Sequence, residues 1–300
     1  MTTIHVVDAF TKKTSTGNRA GVVLEAESLT TSEMQEIAAF AGYSETAFVL
    51  PPTGKDHDLH VRYFTPNAEV PICGHATIAT HFLRAQRWGA DHYPIRVKTG
   101  AGIIPISVRT EGTDLLVSMT QGDVEFGTIL DKAERLQLAA ALNISVSDFV
   151  ADLPIQIVST GHSKVIVPLK CRELLNSLKP NSNDLIALSK SIDCNGFFLF
   201  VLSGTSEIPE TYGRMFAPAI GIEEDPVTGN ANGPTGAYLV QYKLVNFCKS
   251  ITYLGHQGHS LRKAGTVHVT VSTSERGLVT TVAGYAVLVG CRVFQNSQQP

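Results

Sequence analysis

The chain has 300 residues, 43% hydrophobic and 17% charged, with 24 basic against 27 acidic side chains and a net charge of −3. At this size roughly 75% of the unfolded surface can be buried and cores commonly divide, so two domains are expected. Basic residues never cluster beyond pairs such as Lys12-Lys13 and Arg262-Lys263, which argues against a surface that tracks nucleic-acid phosphates, and no run of about 18 apolar residues could cross a membrane.

The opening segment, Met1-Thr-Thr-Ile-His-Val-Val-Asp8, reads as a first strand and not as a basic, then apolar, leader. Five cysteines (Cys73, Cys171, Cys194, Cys248 and Cys291) are scattered, with no Cys-x-x-Cys spacing. Neither a disulfide framework nor a structural zinc site is expected from that pattern. Most of the thiols are expected to be small buried hydrophobes in a cytoplasmic protein.

Strand-length apolar runs begin with His5–Phe10, Ala20–Leu24, Ala47–Leu50, Leu59–Phe64, Ile95–Lys98, Ile103–Val108 and Leu115–Met119. Six more follow, at Ile155–Ser159, Lys164–Pro168, Gly196–Leu202, Val267–Ser272, Val279–Val282 and Val287–Phe294. Several alternate with the period of a half-buried strand. Between them, Thr30-x-x-Glu33 is a capping box, with Met34, Ile37, Ala38 and Ala41 on one helix face and Gly42 as the stop. A second helix is predicted from about Asp131 to Leu142, its apolar positions including Leu136, Leu138, Ala139 and Leu142, and Ser145-x-x-Asp148 opens a short turn. Strands come in clusters and do not alternate with helices, so an α+β chain is expected, not a doubly wound parallel sheet.

An internal repeat organises the whole. Phe64-Thr-Pro66 followed by Pro71-Ile-Cys-Gly-His-Ala76 is answered half a chain later by Phe216-Ala-Pro218 and Pro226-Val-Thr-Gly-Asn-Ala231. Each hexamer has an acid just upstream, Glu69 or Asp225. Two similar domains facing a shared cleft are predicted. After each hexamer, Ala76–Leu83 and Ala231–Val240 carry no formal charge, as helices sheathed by strands do. The predicted architecture is therefore two pseudo-symmetric domains, 1–115 and 116–285, each a mixed barrel-like sheet around a central helix.

Helix starts at Gly74 and Gly229 would present free backbone N–H groups and the positive end of a dipole to an anion. The alternative is two glycines that merely end strands in tight turns; duplication favours the anion site. Glu45 lies directly before the apolar strand Thr46–Leu50, a setting in which desolvation can tune a carboxylate for proton transfer. It could also be a solvent-facing or capping residue. His75 at the first helix start is a second proton carrier or an orienting donor, or else a structural histidine. Asp225 follows Glu223 and Glu224, either in a like-charged group that holds one acid protonated, or as acids that favour the following helix N-terminus or are simply solvated. His256 and His259 are flanked by Gly255 and Gly258 and do not suggest a helical metal site. No nucleophile elbow, phosphate loop or zinc-protease motif occurs.

At Val7-Asp-Ala-Phe10, Gly17-Asn18-x-Ala20-x-Val22, Ser44-Glu-Thr-Ala-Phe48, Tyr63-Phe-Thr-Pro66, Gly74-His-Ala-Thr77 and Glu224-Asp-Pro-x-Thr-Gly229 the sequence resembles the PhzF-like (phenazine-biosynthesis-type) isomerases. The segments Val70-Pro-Ile-Cys-Gly-His75 and Thr228-Gly-Asn-Ala-Asn-Gly233 resemble a subgroup of uncharacterised bacterial members. The resemblance implies a diaminopimelate epimerase-like fold, with the last strand, about 286–297, crossing back to the first domain, and a homodimer. It implies a site without metal or cofactor in which Glu45 moves a proton between carbons of a small carboxylate-bearing metabolite. His75 and Asp225 would accompany Glu45, while Gly74, Gly229, Asn230, Asn18, Cys73 and Thr228 would bind the substrate. Racemases of this fold pair two cysteines; here Cys73 is matched by Thr228, which disfavours two-thiol chemistry. Asn230 stands where serine is common and Arg19 where proline is. The competing expectations are a catalytically silent metabolite-binding or protein-interaction member, and a hydrolase centred on Cys73.

Overall fold

The computed structural model describes residues 1–295, and the chain divides into two compact units. One comprises Met1–Thr120 together with the chain from Ala283; the other is Gln121–Val282. The division falls between Thr120 and Gln121, at the end of the strand Asp114–Thr120 and a few residues beyond the expected 115/116 boundary.

The first unit is built from β1 (Thr2–Ala9), β2 (Asn18–Val23), α1 (Thr31–Ala41), β3 (Thr46–Leu50), β4 (Leu59–Phe64), β5 (Glu69–Val70), α2 (Gly74–Trp88), β6 (Ile95–Thr99), β7 (Gly102–Glu111) and β8 (Asp114–Thr120). β1 and β2 are antiparallel, β2 and β3 parallel, β3 and β4 antiparallel, β4 and β6 parallel, and β6, β7 and β8 antiparallel in turn, with β5 hung on β4. The last strand of the chain, Ala286–Phe294, pairs antiparallel with β1. The expected extension of this strand to residue 297 lies partly outside the described residues.

α1 starts and stops where its sequence says. Thr30 and Glu33 close the capping box and Gly42 takes the left-handed conformation, with φ of 67°. Its face of Met34, Ile37, Ala38 and Ala41 packs with Ile4, Val23, Phe48 and Phe64. α2 is buried nearly throughout its first three turns and touches β1, β2, β3, β7, β8 and the last strand, so the sheet wraps around it. A helix with no polar face is stable only when enclosed in this way.

The second unit contains β9 (Glu125–Ile129), α3 (Lys132–Ala141), β10 (Gln156–Ser159), β11 (Lys164–Pro168), α4 (Arg172–Ser177), α5 (Ser182–Ile192), β12 (Phe197–Gly204), β13 (Pro209–Ala217), β14 (Ile222–Asp225), α6 (Gly229–Gln241), β15 (Ser250–Gln257), β16 (Gly265–Ser274) and β17 (Gly277–Gly284). β10 and β11 are antiparallel, β11 and β12 parallel, β12 and β13 antiparallel, β13 and β15 parallel, and β15 and β16 antiparallel, with β14 hung on β13. This repeats, pairing for pairing, the order found from β1 to β7. α6 takes the place of α2 between the strands that correspond to β5 and β6. The repeat seen in two hexamers is therefore a repeat of topology.

Three details differ from the sequence expectation. Leu136 of α3 is half-exposed, while Leu138, Ala139 and Leu142 enter the core. Only Cys73 and Cys194 are buried; Cys171 is intermediate, and Cys248 and Cys291 are exposed, because the exposed strand Ala286–Phe294 and the loop after α6 carry the last two. β5, β9, β13, β14 and β15, with the helices α4 and α5, are elements that the apolar patterning missed. Among the described residues no helix is long and apolar enough to cross a membrane.

Candidate functional site

In the first unit three elements deliver polar side chains to one place. The chain leaves α1 through Gly42 and enters β3 at Thr46, so Ser44 and Glu45 occupy the junction. β3 runs parallel to β2, and the Glu45 carbonyl accepts from Gly21 N–H at 3.1 Å, which anchors the backbone at that point. The Glu45 side chain is only 15% exposed, which rules out the solvent-facing alternative. Its Oε2 is buried and accepts no hydrogen bond, although His75 Nε2 lies 3.3 Å away.

His75 is the second residue of α2, and Cys73 is the N-cap residue. His75 Nε2 is also 3.3 Å from Ser44 Oγ, and Cys73 Sγ lies 3.4 Å from Nδ1 and 3.8 Å from Nε2. Glu45, Cys73 and His75 offer ligand atoms that all fall within 4.8 Å of one another. The helix start is pinned from below: Thr77 Oγ1 donates to Cys73 O at 2.7 Å and meets Tyr63 Oη of β4 at 2.7 Å. Burial pushes the Tyr63 hydroxyl far above the usual phenol range, so it stays a neutral hydrogen-bonding group.

No side chain caps α2, and the buried Gly74, His75 and Ala76 form its first turn. Backbone amides in such a position suit an anion. Asn18, buried at the start of β2 opposite Ala9, belongs to the same unit. Arg19, its neighbour, reaches away to the buried Asp8, with Nε and Nη2 at 2.7 and 3.0 Å from the carboxylate oxygens. It is thereby committed to a cross-strand ion pair.

The second unit builds its own constellation around α6. Thr228 is the N-cap residue, again with no side-chain cap on the helix, followed by the buried Gly229. The Thr228 hydroxyl donates to the Asp225 carboxylate at the end of β14. Gln257, fully buried on β15, locks the turn: Oε1 accepts from Thr228 N–H at 3.0 Å, and Nε2 donates to Asp225 O at 2.7 Å and Thr228 Oγ1 at 3.1 Å. Asn230 Oδ1 accepts from Gln121 Nε2 at 3.1 Å. Burial pushes the Lys164 ammonium down, opposed by Cys194 and Asp225.

Gln257 and Gln121 were invisible as site residues in the sequence, since a lone polar residue in a strand or loop carries no motif, and Ser44 was read only as the head of the Ser44–Phe48 string. Of the readings open for the acids before α6, the structure gives each of Glu223 and Glu224 its own partner. Ser182 donates to Glu223, whereas Glu224 is paired with the buried Arg214 at 2.7 Å. Each acid has its own partner because adjacent residues in β14 point to opposite faces. His256 sits on β15, where its ring stacks on Tyr212, and His259 lies beyond the strand end.

The model of the phenazine biosynthesis-like protein family matches residues 7–291. An uncharacterised isomerase of Clostridium acetobutylicum is 46% identical over 288 residues, covering 95% of each chain. The uncharacterised isomerase YddE of Escherichia coli K12 is 43% identical over 95% of this chain and 96% of its own. Among solved structures, a PhzF-family phenazine biosynthesis protein of Bacillus anthracis superposes with a TM-score of 0.87 at 33% identity, over 98% of this chain and 99% of that one.

Proposed function

Because this chain belongs to the phenazine biosynthesis-like (PhzF) family, with its diaminopimelate epimerase-like fold, and is an isomerase, we propose that it moves a proton between carbons of a small carboxylate-bearing metabolite, with Glu45 as base and then acid. The observation that carries this reading is the Glu45 carboxylate, one oxygen of it buried without a hydrogen bond and held 3.3 Å from His75 at the uncapped start of a buried helix.

The chemistry follows from those groups. A carbon next to a carboxylate or enol loses its proton to Glu45, and the electron pair left behind spreads onto the neighbouring oxygens. Amide N–H groups of the first turn of α2 stabilise that charge where it develops. The protonated Glu45, whose proton exchanges with solvent, then delivers a proton to a carbon on the same face. His75, held between Ser44 and Glu45, orients the carboxylate. The second unit has Thr228 where Cys73 stands in the first, and a threonine hydroxyl bonded to Asp225 is no thiolate base. Within the first unit Gly74 and Asn18 are assigned to binding, and the turn of Asp225, Thr228, Gly229 and Asn230 in the second unit supplies no second thiolate.

Solvent exchange tests the reading. Small carboxylates incubated with the enzyme in D2O should gain deuterium at carbon, read by NMR or mass spectrometry. Glu45→Gln should lower the rate by about 10² to 10⁴, the span a positioned acid–base group supplies. Exchange at the unaltered rate in that variant would exclude Glu45 as the carrier. Thermal stabilisation by carboxylates with no exchange from any of them would favour a silent binding protein.

A further inference from the structure

We propose that Glu45, Cys73 and His75 form a binding site for a borderline divalent transition-metal ion, Zn2+ foremost, and that the seated ion silences proton transfer. The silencing rests on the function proposed above; the binding stands on geometry and donor chemistry alone.

The three donors already stand close to the edges of a tetrahedron. Zinc bonds of about 2.0–2.1 Å to nitrogen or oxygen and about 2.3 Å to sulfur require about 3.3 Å between N and O ligands and about 3.5 Å between N and S. His75 Nε2 is 3.3 Å from Glu45 Oε2 and 3.8 Å from Cys73 Sγ. The third edge, from carboxylate to sulfur, is no more than 4.8 Å. The N–O edge already fits, the N–S edge is about 0.3 Å too long, and closing the O–S edge requires a movement of up to about 1 Å between the thiol and the carboxylate.

The donor types select the metal. One thiolate, one imidazole and one carboxylate suit Zn2+, and Co2+ as its spectroscopic substitute. Mg2+ and Ca2+ want six or more oxygen ligands, which this enclosed group does not offer. Charge also balances, since a thiolate and a carboxylate offset a dication while the imidazole stays neutral. Binding expels the Cys73 proton to solvent as the sulfur–metal bond forms. Three protein ligands leave the fourth position open to water or to a substrate oxygen.

Placement favours the ion further. The orphaned Oε2 of Glu45 is a buried carboxylate oxygen with no hydrogen-bond donor, an expensive arrangement that a cation relieves. Two of the three ligands sit on the rigid, buried start of α2 and the third directly precedes β3, so little order must be created on binding. Once the Glu45 lone pair is in a metal bond it can no longer take a proton from carbon. The two uses of the residue exclude each other.

The test is a Co2+ titration of chelator-treated protein, followed by near-ultraviolet and visible absorption, with Zn2+ added afterwards as competitor. One equivalent should produce a thiolate-to-cobalt charge-transfer band that Zn2+ removes. Cys73→Ser should abolish the band, while Glu45→Gln and His75→Gln should weaken Co2+ binding at least tenfold with circular dichroism unchanged. Glu45→Gln keeps the thiol, so it remains decisive should Cys73→Ser fail to fold. A band that survives in Cys73→Ser, and so arises from exposed Cys248 or Cys291, would overturn the site, as would full affinity in Glu45→Gln or no band in the unaltered protein. Deuterium exchange by the metal-free enzyme is read separately. Its absence defeats the isomerase mechanism and leaves the titration standing, whereas a missing band defeats the metal site and leaves exchange standing. Exchange that persists with one bound equivalent of Zn2+ would overturn the silencing.

Discussion

His75 Nε2 lies 3.3 Å from Glu45 Oε2 and also 3.3 Å from Ser44 Oγ, so a single ring nitrogen faces two neighbours that ask different things of it. The carboxylate wants a donor; the hydroxyl can donate or accept. If Nε2 carries the proton, the ring supports the Glu45 anion and the serine hydroxyl turns its own proton elsewhere. If Nδ1 carries it, Nε2 accepts from Ser44, and the carboxylate has no donor from this ring.

Ser44→Ala should therefore shift the histidine toward the Nε2–H tautomer without removing any acid–base group. Exchange should fall no more than about tenfold, against about 10² or more for Glu45→Gln. The 15N chemical shifts of the His75 ring, read by NMR, should move in Ser44→Ala and stay put in a distant control such as Ser177→Ala. A Ser44→Ala enzyme as damaged as Glu45→Gln would mean that the hydroxyl takes part in the chemistry itself.

α6 offers a prediction with an unexpected sign. Gly236 is a poor helix residue, and alanine gains about 1 kcal/mol in an open helix. Here a Cβ would meet Val271 Cγ2 at 2.8 Å, Tyr253 Cε1 at 2.9 Å and Val269 Cγ1 at 3.0 Å, all from β15 and β16 of the same unit. Overpacking of this kind costs about 1–3 kcal/mol. Gly236→Ala should lower stability in a urea titration with the slope unchanged. A rise in stability would show that the helix is less tightly sheathed than the contacts imply.

Gln257 should be the most sensitive polar residue of the second unit. It satisfies the Thr228 amide and the Asp225 carbonyl, and its Oε1 also receives Asn232 Nδ2 at 3.2 Å. Gln257→Leu strands two part-buried backbone groups, each worth up to about 1–3 kcal/mol where water cannot replace the lost partner. A loss of about 3 kcal/mol is expected by denaturation. Gln257→Glu, which cannot donate to the Asp225 carbonyl when ionised, should lose part of that amount. A change below about 0.5 kcal/mol in both variants would mean that the turn is held by other contacts.

How much of this was legible beforehand depended on whether burial left an apolar signature. The capping box of α1 and the paired hexamers were plain because each is local and made of distinctive residues. β15 was not, since its inward positions are Tyr253, Gly255 and Gln257, of which only one is an apolar-rich side chain. β13 is buried at Thr211, Gly213 and Arg214 before its apolar end at Met215–Ala217, so only its last residues carry an apolar signal, and β9 is mostly exposed and has no buried face to betray it. At the site, Cys73 and His75 share one hexamer, but Glu45 joins them only because β3 runs parallel to β2 and ends α1 beside the start of α2. Such pairings are made by topology, and no spacing in the chain encodes them.

Acid sensitivity should trace to His81, on the third turn of α2. The ring is fully buried, with Nδ1 2.9 Å from Tyr93 Oη and Nε2 without a partner. Burial, with Arg84 adding to it, pushes its pKa down to about 3. In the unfolded chain the same ring takes up a proton near its ordinary value of about 6.5. The neutral ring's contribution is therefore fully present above pH 6.5 and is lost as the pH falls toward 3, because the unfolded state binds a proton that the folded state refuses. The slope is about 1.4 kcal/mol per pH unit, so about 2 kcal/mol should disappear between pH 6.5 and 4.5. Burial also lowers His5, His60, His162, His256 and His259, so the whole protein's acid limb is steeper than one residue explains. The comparison that isolates His81 is His81→Gln, which keeps a polar side chain and removes the titration. Its urea midpoint should fall less steeply with acid by one proton's worth, whatever its stability at pH 7.5. Parallel acid limbs in the two proteins would mean that His81 reaches solvent in the folded state.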